Sequence, residues 1–139
     1  MNGFVLDTSV ALRWFLDNPV PAYAARVREA MRGGTRARVP ALWNLEMANG
    51  LIVAERRGAL TVAEVEGSLS EIEKMLARFI DSDESVPRTR EILAHARSFR
   101  LRVYDAAYLE LAFREGLPLA TLDEPLRAAA RQAGVATLR

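Results

Sequence analysis

The sequence contains no cysteine, which excludes disulfides, thiolate catalysis and cysteine-ligated zinc. Its one histidine, His95, excludes multi-histidine metal sites and disfavours a histidine-based catalytic triad. Lysine is almost missing too, because Lys74 is the only lysine among 19 basic residues. Any metal ion bound to this chain would therefore be held mainly by oxygen ligands, which favours Mg²⁺ or Mn²⁺.

Long apolar runs are also missing. No stretch approaches the roughly 18 apolar residues of a membrane span, and Asp7 falls where a signal peptide would begin its apolar core. We therefore expect a cytoplasmic protein with no membrane association. The 139 residues, half of them hydrophobic and 27% charged, predict one globular domain over residues 1–139. The net charge of +1 does not indicate a class of partner.

Short apolar runs alternate with longer helical patterns, which is typical of βαβ units and predicts an α/β fold with a parallel sheet. Strands are predicted at 3–7, 37–39, 78–80, 117–122 and 135–138. Helices are predicted from residue 8 to about 17 and at 22–31, 41–57, 61–77, 87–99, 104–114 and 125–132. Pro40 is expected as an early residue of the third helix, and residues 61–64 (TVAE) as a capping box.

Four acidic residues occupy unusual positions. Asp7 and Asp123 each follow an apolar strand pattern, in FVLD and LATLD. Asp105 begins the helical pattern YDAAYLELA after a short loop, and Glu46 lies one helical turn before Asn49 in WNLEMANGL. Because ligands bind beyond the carboxyl ends of parallel strands, we expect the three aspartates at one edge of the sheet, and Glu46 and Asn49 on one side of their helix.

Each acid also has a purely structural interpretation. As single residues, the three aspartates are ordinary helix N-caps, and Glu46 is an ordinary exposed helix glutamate. The hydroxyl groups of Thr8 and Ser9 can likewise satisfy the free amides of the helix that they begin. Asp81 and Asp83 also follow an apolar run but have no obvious companions, so we assign them to a solvated turn.

Four segments in this order, FVLDTSVALRW, VPALWNLEMANGL, YDAAYLELA and LATLDEPL, resemble the PIN-domain nucleases, in particular the VapC-type toxins of bacterial toxin–antitoxin pairs. The resemblance covers essentially the whole chain. No single motif is specific, but four in the family's order and approximate spacing are. The resemblance implies a five-stranded parallel sheet with helices on both sides, and a metal-dependent endoribonuclease as the function.

The resemblance also implies the site residues. The catalytic acids would be Asp7, Glu46, Asp105 and Asp123, with Asp7 and Asp105 as the closest contacts of Mg²⁺ or Mn²⁺. The supporting polar residues would be Thr8, Asn49 and Thr121. Glu124 directly follows Asp123 and could exchange roles with it, although the family motif T-x-D favours Asp123. The implied partners are an RNA substrate, a small VapB-type antitoxin and a second copy of the chain in a homodimer.

The implied chemistry suits the composition. Neighbouring carboxylates repel one another, so such a cluster is unfavourable unless a cation occupies it. A divalent ion also polarises a phosphodiester and activates a water, so neither histidine nor cysteine is needed. Arginine side chains are candidates for an RNA-phosphate path, against a default of scattered surface charge, at positions 13, 36, 38, 56 and 57.

Two alternatives belong to other classes. An aspartyl-phosphate protein, either a receiver domain or a phosphatase, also places an aspartate after its first strand. That chemistry needs a lysine near the phosphoryl group, and Lys74 lies in the charged helical pattern EIEKML. A catalytically inactive PIN-like module that binds RNA or protein is the other alternative, and the complete set of four acids argues against it.

Overall fold

The computed structural model describes residues 3–139, so residues 1 and 2 of the predicted domain lie outside the described part. The fold is α/β, as predicted, with a single parallel sheet in the order β3-β2-β1-β4. The strands are β1 (Gly3–Leu6), β2 (Arg36–Pro40), β3 (Ile80–Asp83) and β4 (Leu119–Ala120). Strand β1 therefore lies inside the sheet, and its carboxyl end adjoins that of β4.

Eight helices connect and cover the strands in the part of the chain from residue 3 onward. They are α1 (Thr8–Ala11), α2 (Arg13–Leu16), α3 (Ala22–Arg32), α4 (Leu42–Arg56), α5 (Val62–Arg78), α6 (Thr89–Phe99), α7 (Val103–Glu115) and α8 (Glu124–Gln132). The predicted capping box begins α5, because the Glu64 amide donates to Thr61 Oγ1 (3.1 Å) and the Thr61 amide donates to Glu64 Oε1 (3.0 Å). None of the helices between residues 3 and 139 is long and apolar enough to cross a membrane.

The core lies on both faces of β1. Phe4, Val5 and Leu6 are fully buried, as expected for a parallel strand that helices cover on both sides. Trp43 of α4 is also fully buried, and α7 is buried around most of its circumference from residue 106 to residue 112. This central packing fixes the carboxyl end of β1, where Asp7 follows, relative to α4 and α7.

The fifth predicted strand is not a strand. Residues 135–138 contribute one isolated bridge, between Leu119 and Thr137, to a sheet that has four strands. Two backbone hydrogen bonds support it, from the Leu119 amide to Ala136 O (2.8 Å) and from the Leu138 amide to Leu119 O (2.9 Å). Strand β4 is itself only two residues long, which leaves too short an edge for a longer ladder.

Two further predictions were wrong at the other side of the sheet. Asp81 and Asp83 lie within β3, which pairs in parallel with β2, and not in a solvated turn. Their side chains form ion pairs with arginines of neighbouring elements, and these pairs stabilise an extended conformation that the polar sequence alone did not indicate. Pro40 ends β2 and does not begin α4, which starts at Leu42.

Candidate active site

Asp7 follows β1 directly and occupies the N-cap position of α1. Its backbone carbonyl accepts from the Val10 amide (3.1 Å), but its side chain forms no capping hydrogen bond. Instead, Asp7 Oδ2 accepts from Ser9 Oγ (2.6 Å) and from Thr121 Oγ1 (2.7 Å). The N-cap interpretation is therefore right for the backbone of Asp7 and wrong for its carboxylate, which is directed to the end of β4.

The Asp7 carboxylate is nearly sealed from solvent, since the residue is only 4% exposed. Burial raises its pKa, and the hydrogen bonds from Ser9 and Thr121 only partly counter that effect. The negative charges of Asp105 and Asp123 raise the pKa of Asp7 further. The structure therefore places three of the four acids within electrostatic reach of one another.

Glu46 extends from α4 into the same region. Its Oε1 accepts from Tyr108 Oη (2.6 Å) and, more weakly, from Thr8 Oγ1 (3.5 Å). Partial burial raises the pKa of Glu46, the Tyr108 hydrogen bond lowers it, and the charges of Asp7 and Asp105 raise it again. Glu46 is thus not the ordinary exposed helix glutamate of the structural interpretation.

Asp105 is the third residue of α7 and not its N-cap. Its side chain is only 16% exposed and accepts from Arg102 Nε (3.2 Å). Because α7 begins at Val103, one residue earlier than predicted, Asp105 lies inside the first helical turn. There the positive end of the helix dipole favours a carboxylate.

Asp123 is the N-cap of α8, as its structural interpretation predicted, and accepts from the Leu126 amide (3.2 Å). Thr121 Oγ1 accepts from the Asp123 amide (3.0 Å), which links Asp123 to the hydroxyl that also donates to Asp7. Glu124 lies near two arginines of its own helix, Arg127 (3.6 Å) and Arg131 (3.9 Å), and its side chain is 68% exposed. These contacts favour Asp123 over Glu124 as the acid of the site.

The three supporting residues lie beside the acids. Thr8 and Thr121 make the contacts described above, and Asn49 is exposed on α4 one turn beyond Glu46. An open groove of about 510 Å³ adjoins Glu46 alone of the four acids, and it is lined by Thr8, Leu12, Leu42, Leu45, Glu46, Asn49, Gly50 and Tyr104. The groove provides room for a ligand at the sheet edge.

Sequence reasoning missed three polar residues of the site, namely Ser9, Tyr108 and Arg102. Ser9 Oγ donates to Asp7 and also accepts from the Leu122 amide (2.9 Å), so it connects the carboxyl ends of β1 and β4 and does not cap α1. Tyr108 follows Asp105 by three residues in YDAAYLELA, and this helical spacing could have placed it beside the acids.

The possible metal ligands of this site are carboxylate, hydroxyl and amide oxygens, which suit Mg²⁺ or Mn²⁺. Burial and neighbouring carboxylates raise the pKa values of Asp7 and Glu46, and within residues 3–139 neither side chain forms an ion pair with a cation. Between residues 3 and 139, however, no three carboxylate or imidazole groups are already arranged to hold a metal ion. The acids fit a divalent ion by their chemistry, and ligation by several of them requires their side chains to turn towards a common point.

The lysine required by aspartyl-phosphate chemistry is engaged elsewhere. Lys74 Nζ forms an ion pair with Glu71 on α5 (3.2 Å), and the lysine side chain is 67% exposed. Asp7 instead has the hydroxyl groups of Ser9 and Thr121 as its partners. This arrangement disfavours a receiver domain or a phosphatase.

Comparisons with known proteins agree with this geometry. The PIN domain family model matches residues 4–132. The chain is 40% identical over 128 residues to a protein named Ribonuclease VapC3 in two strains of Mycobacterium tuberculosis, CDC 1551 / Oshkosh and ATCC 25618 / H37Rv; the match covers 88% of this chain and 83% of the relative. The crystal structure of PAE2754 from Pyrobaculum aerophilum has the same fold, with a TM-score of 0.69 and 24% identity over 91% of this chain and 85% of that one.

Proposed function

The chain belongs to the PIN-domain family, and from this premise we propose that it is a metal-dependent endoribonuclease of VapC type that hydrolyses RNA phosphodiester bonds. The observation that carries the proposal is the set of acids at the carboxyl edge of the sheet, where burial raises the pKa values of Asp7 and Glu46 and no cation among residues 3–139 pairs with either of them. Similarity to a relative named as a ribonuclease supports the substrate class.

In this proposal Asp7 and Asp105 are the closest ligands of Mg²⁺ or Mn²⁺, and Glu46 and Asp123 complete the acidic site. When bound, the divalent ion supplies charge neutralisation, a polarised phosphodiester and a water of lowered pKa. Three hydroxyl groups position the acids, because Ser9 and Thr121 hold one oxygen of Asp7 and Tyr108 holds one oxygen of Glu46. Asn49 and Thr8 line the groove through which RNA would approach.

The proposal extends to the biological setting. The relative's name identifies a VapC protein, so we assign to this chain the toxin role, a small VapB-type antitoxin as its inhibitor, and action in the cytoplasm. A single nuclease domain over residues 1–139 and a homodimer are part of the same proposal. The homodimer follows from the family resemblance alone.

The direct test is cleavage of labelled RNA by the purified chain, with Mg²⁺ or Mn²⁺ and with a chelator. We expect cleavage only with the metal, and a loss of roughly 100-fold or more in Asp7→Asn and Asp105→Asn. The matched control is Asp83→Asn, because Asp83 lies at the same sheet edge but is bound by Arg114 (2.9 Å). Cleavage that persists in the chelator, or that survives Asp7→Asn unchanged, would refute the site.

The toxin role needs a separate experiment in cells. Expression of the chain alone should stop growth, and co-expression of its antitoxin should restore growth. Unaffected growth together with metal-dependent cleavage in vitro would favour an RNA-processing enzyme. RNA binding without cleavage in either metal would instead support the catalytically inactive module.

A further inference from the structure

Helix α7 begins with an unfavourable residue. Arg102 occupies its N-cap position and forms no capping hydrogen bond. Serine, threonine, aspartate and asparagine are the residues that stabilise this position, and a cation there is opposed by the positive end of the helix dipole. Arg102 is therefore poorly explained by the stability of the helix that carries the proposed metal ligand Asp105.

The Arg102 guanidinium lies over the acidic site. Its Nε donates to Asp105 Oδ2 (3.2 Å), and the arginine side chain is 80% exposed while that of Asp105 is 16% exposed. The Asp105 hydrogen bond and charge raise the pKa of Arg102, and the charges of Asp123 and Glu46 add to this effect. The hydrogen bond holds the guanidinium at the edge of the acidic site and leaves most of it open to solvent.

Among residues 3–139, Arg102 is the one cationic side chain that forms an ion pair with any of the four acids. Other arginines near the sheet are engaged by different carboxylates, since Arg36 pairs with Asp81 and Arg38 with Glu115. These two arginines were candidates for an RNA-phosphate path, but two hydrogen bonds hold each of them to its carboxylate, whereas one holds Arg102. The Arg102 side chain is also the most exposed of the three, at 80% against 47% for Arg36 and 30% for Arg38.

An acidic site repels the phosphates of RNA, so productive binding needs positive charge close to it. The bond to Asp105 uses only Nε of Arg102, so the paired Nη groups take no part in it. A guanidinium carries five N–H donors, and its fork matches phosphate oxygens in a bidentate way. Tyr104, two residues further along, lines the groove beside Glu46, so the start of α7 carries both Arg102 and a residue of the groove wall.

Resting on the function proposed above, we propose that Arg102 is a substrate-binding residue whose guanidinium binds an RNA phosphate at the rim of the acidic site. Asp105 holds the arginine at that rim while no RNA is bound. Arg102 is therefore kept at the helix start for RNA affinity, at the expense of helix stability.

The test measures binding without cleavage. A labelled RNA that the wild-type chain cuts is titrated with the Asp7→Asn protein by fluorescence anisotropy, and Arg102→Ser is then added to that background. We expect the Kd to rise about 5- to 10-fold and the slope of log affinity against log salt to fall by about 0.7, as for one lost contact to single-stranded RNA. Arg102→Lys, which keeps the charge, should keep most of the slope.

The matched control is Arg88→Ser, also in the Asp7→Asn background. Arg88 is likewise an exposed arginine at the N-cap of a helix, α6, without a capping hydrogen bond. Both serine variants remove one positive charge and supply a cap, so both should raise the Tm by a few degrees. Only Arg102→Ser should weaken RNA binding.

Two results would overturn the inference. The first is the same Kd and salt slope in Arg102→Ser as in Arg88→Ser, while the Asp7→Asn parent binds RNA. The second is a lower Tm in Arg102→Ser, which would mean that loss of folded structure explains its weaker binding. In that case Arg102→Gln, which keeps a donor for Asp105 but no charge, would bind RNA as tightly as the Asp7→Asn parent. If the wild-type chain neither cuts nor binds RNA, the proposed function fails together with this inference.

Discussion

Replacement of Asp7 with asparagine is expected to stabilise the metal-free protein at neutral pH while it abolishes cleavage. Asp7 is 4% exposed, and burial together with the charges of Asp105 and Asp123 raises its pKa. Asparagine removes the buried charge but keeps a side-chain oxygen that can accept from Ser9 and Thr121. Opposite effects on stability and activity are typical of residues that are kept for function.

The expected gain follows from three contributions. The bonds from Ser9 (2.6 Å) and Thr121 (2.7 Å) would become neutral, which costs about 1 kcal/mol each. The effective penalty for a buried charge is several kcal/mol, and repulsion by neighbouring acids adds to it. Because the pKa of Asp7 is raised in spite of these hydrogen bonds, the penalty outweighs them. We expect a net gain of about 1–3 kcal/mol in the free energy of unfolding.

The gain should depend on pH in a defined direction. An acid with a raised pKa binds more protons in the folded state than in the unfolded state. Wild-type stability therefore falls as the pH rises from 3.8, the ordinary pKa of an aspartate, through the higher folded pKa of Asp7. The asparagine variant has no ionisable group at this position, so its stability does not fall with pH for this reason. The two proteins should therefore differ least in acid, where Asp7 is protonated in both states, and most at neutral pH.

The assay is urea unfolding in a chelator between about pH 4 and pH 8, followed by the same measurement with Mn²⁺. At 100 times the Kd, Mn²⁺ should stabilise the wild-type protein by about 2.7 kcal/mol and the variant by much less. Asp83→Asn is the control with the opposite sign, because Asp83 is bound by Arg114. A variant that is less stable than wild type at pH 7 in the chelator would refute the reasoning, as would equal stabilisation of both proteins by Mn²⁺.

Three other changes test neighbouring contacts. Tyr108→Phe removes the hydrogen bond to Glu46 (2.6 Å), so the pKa of Glu46 should rise further. The acidic limb of the cleavage pH profile should then move to higher pH, and an unchanged limb would contradict this prediction. Arg114→Ala leaves buried Glu110 and Asp83 without their guanidinium partner, and urea unfolding should show a loss of about 3–5 kcal/mol. Burial raises the pKa of Asp83, but hydrogen bonds, the Arg114 bond above all, outweigh burial and lower it to about 2. Asp83 should thus contribute about 2 kcal/mol above pH 5, lost as the pH falls through about 4 to 2, and Asp83→Asn should flatten this acid limb.

The helices were predictable because their signals are local. The helix predicted at 22–31 is found at Ala22–Arg32, and the one predicted at 61–77 is found at Val62–Arg78, where a capping box marks the start. Strands at the sides of the sheet were less predictable, because their extent depends on what they pair with. The segment 135–138 has a strand-like sequence but only the two-residue strand β4 beside it.

The grouping of the three aspartates could be predicted from parallel strand order, whereas the place of Glu46 among them was implied only by the family resemblance. The hydrogen bonds that hold them could be predicted only in part. Tyr108 reaches Glu46 across 62 positions of sequence, and Ser9 reaches the Leu122 amide across 113. Such contacts depend on how the elements pack against one another, and a single sequence does not show that packing. The assignment of catalysis and metal binding to these acids stays a prediction.

The segments FVLD and RFIDSD show most clearly where local reasoning stops. Each segment places an aspartate after an apolar run, and Asp7 and Asp83 both lie at the carboxyl edge of the parallel sheet. Arg114 of α7 binds Asp83 and lowers its pKa. Asp7 instead accepts hydrogen bonds from two hydroxyl groups, and its pKa is raised by burial and by the charges of two further acids.

What separates a structural aspartate from a candidate ligand in this chain is thus an arginine that arrives from another element. At β3 the arginines neutralise the carboxylates within the protein. At β1 no cationic side chain in the described part of the chain pairs with Asp7, and a bound cation is the simplest means to balance its negative charge. Arg102 is the intermediate case, an arginine that reaches the edge of the acidic site, pairs with Asp105 and remains exposed to solvent. A guanidinium in that position can bind a phosphate of the substrate without neutralising the acidic site.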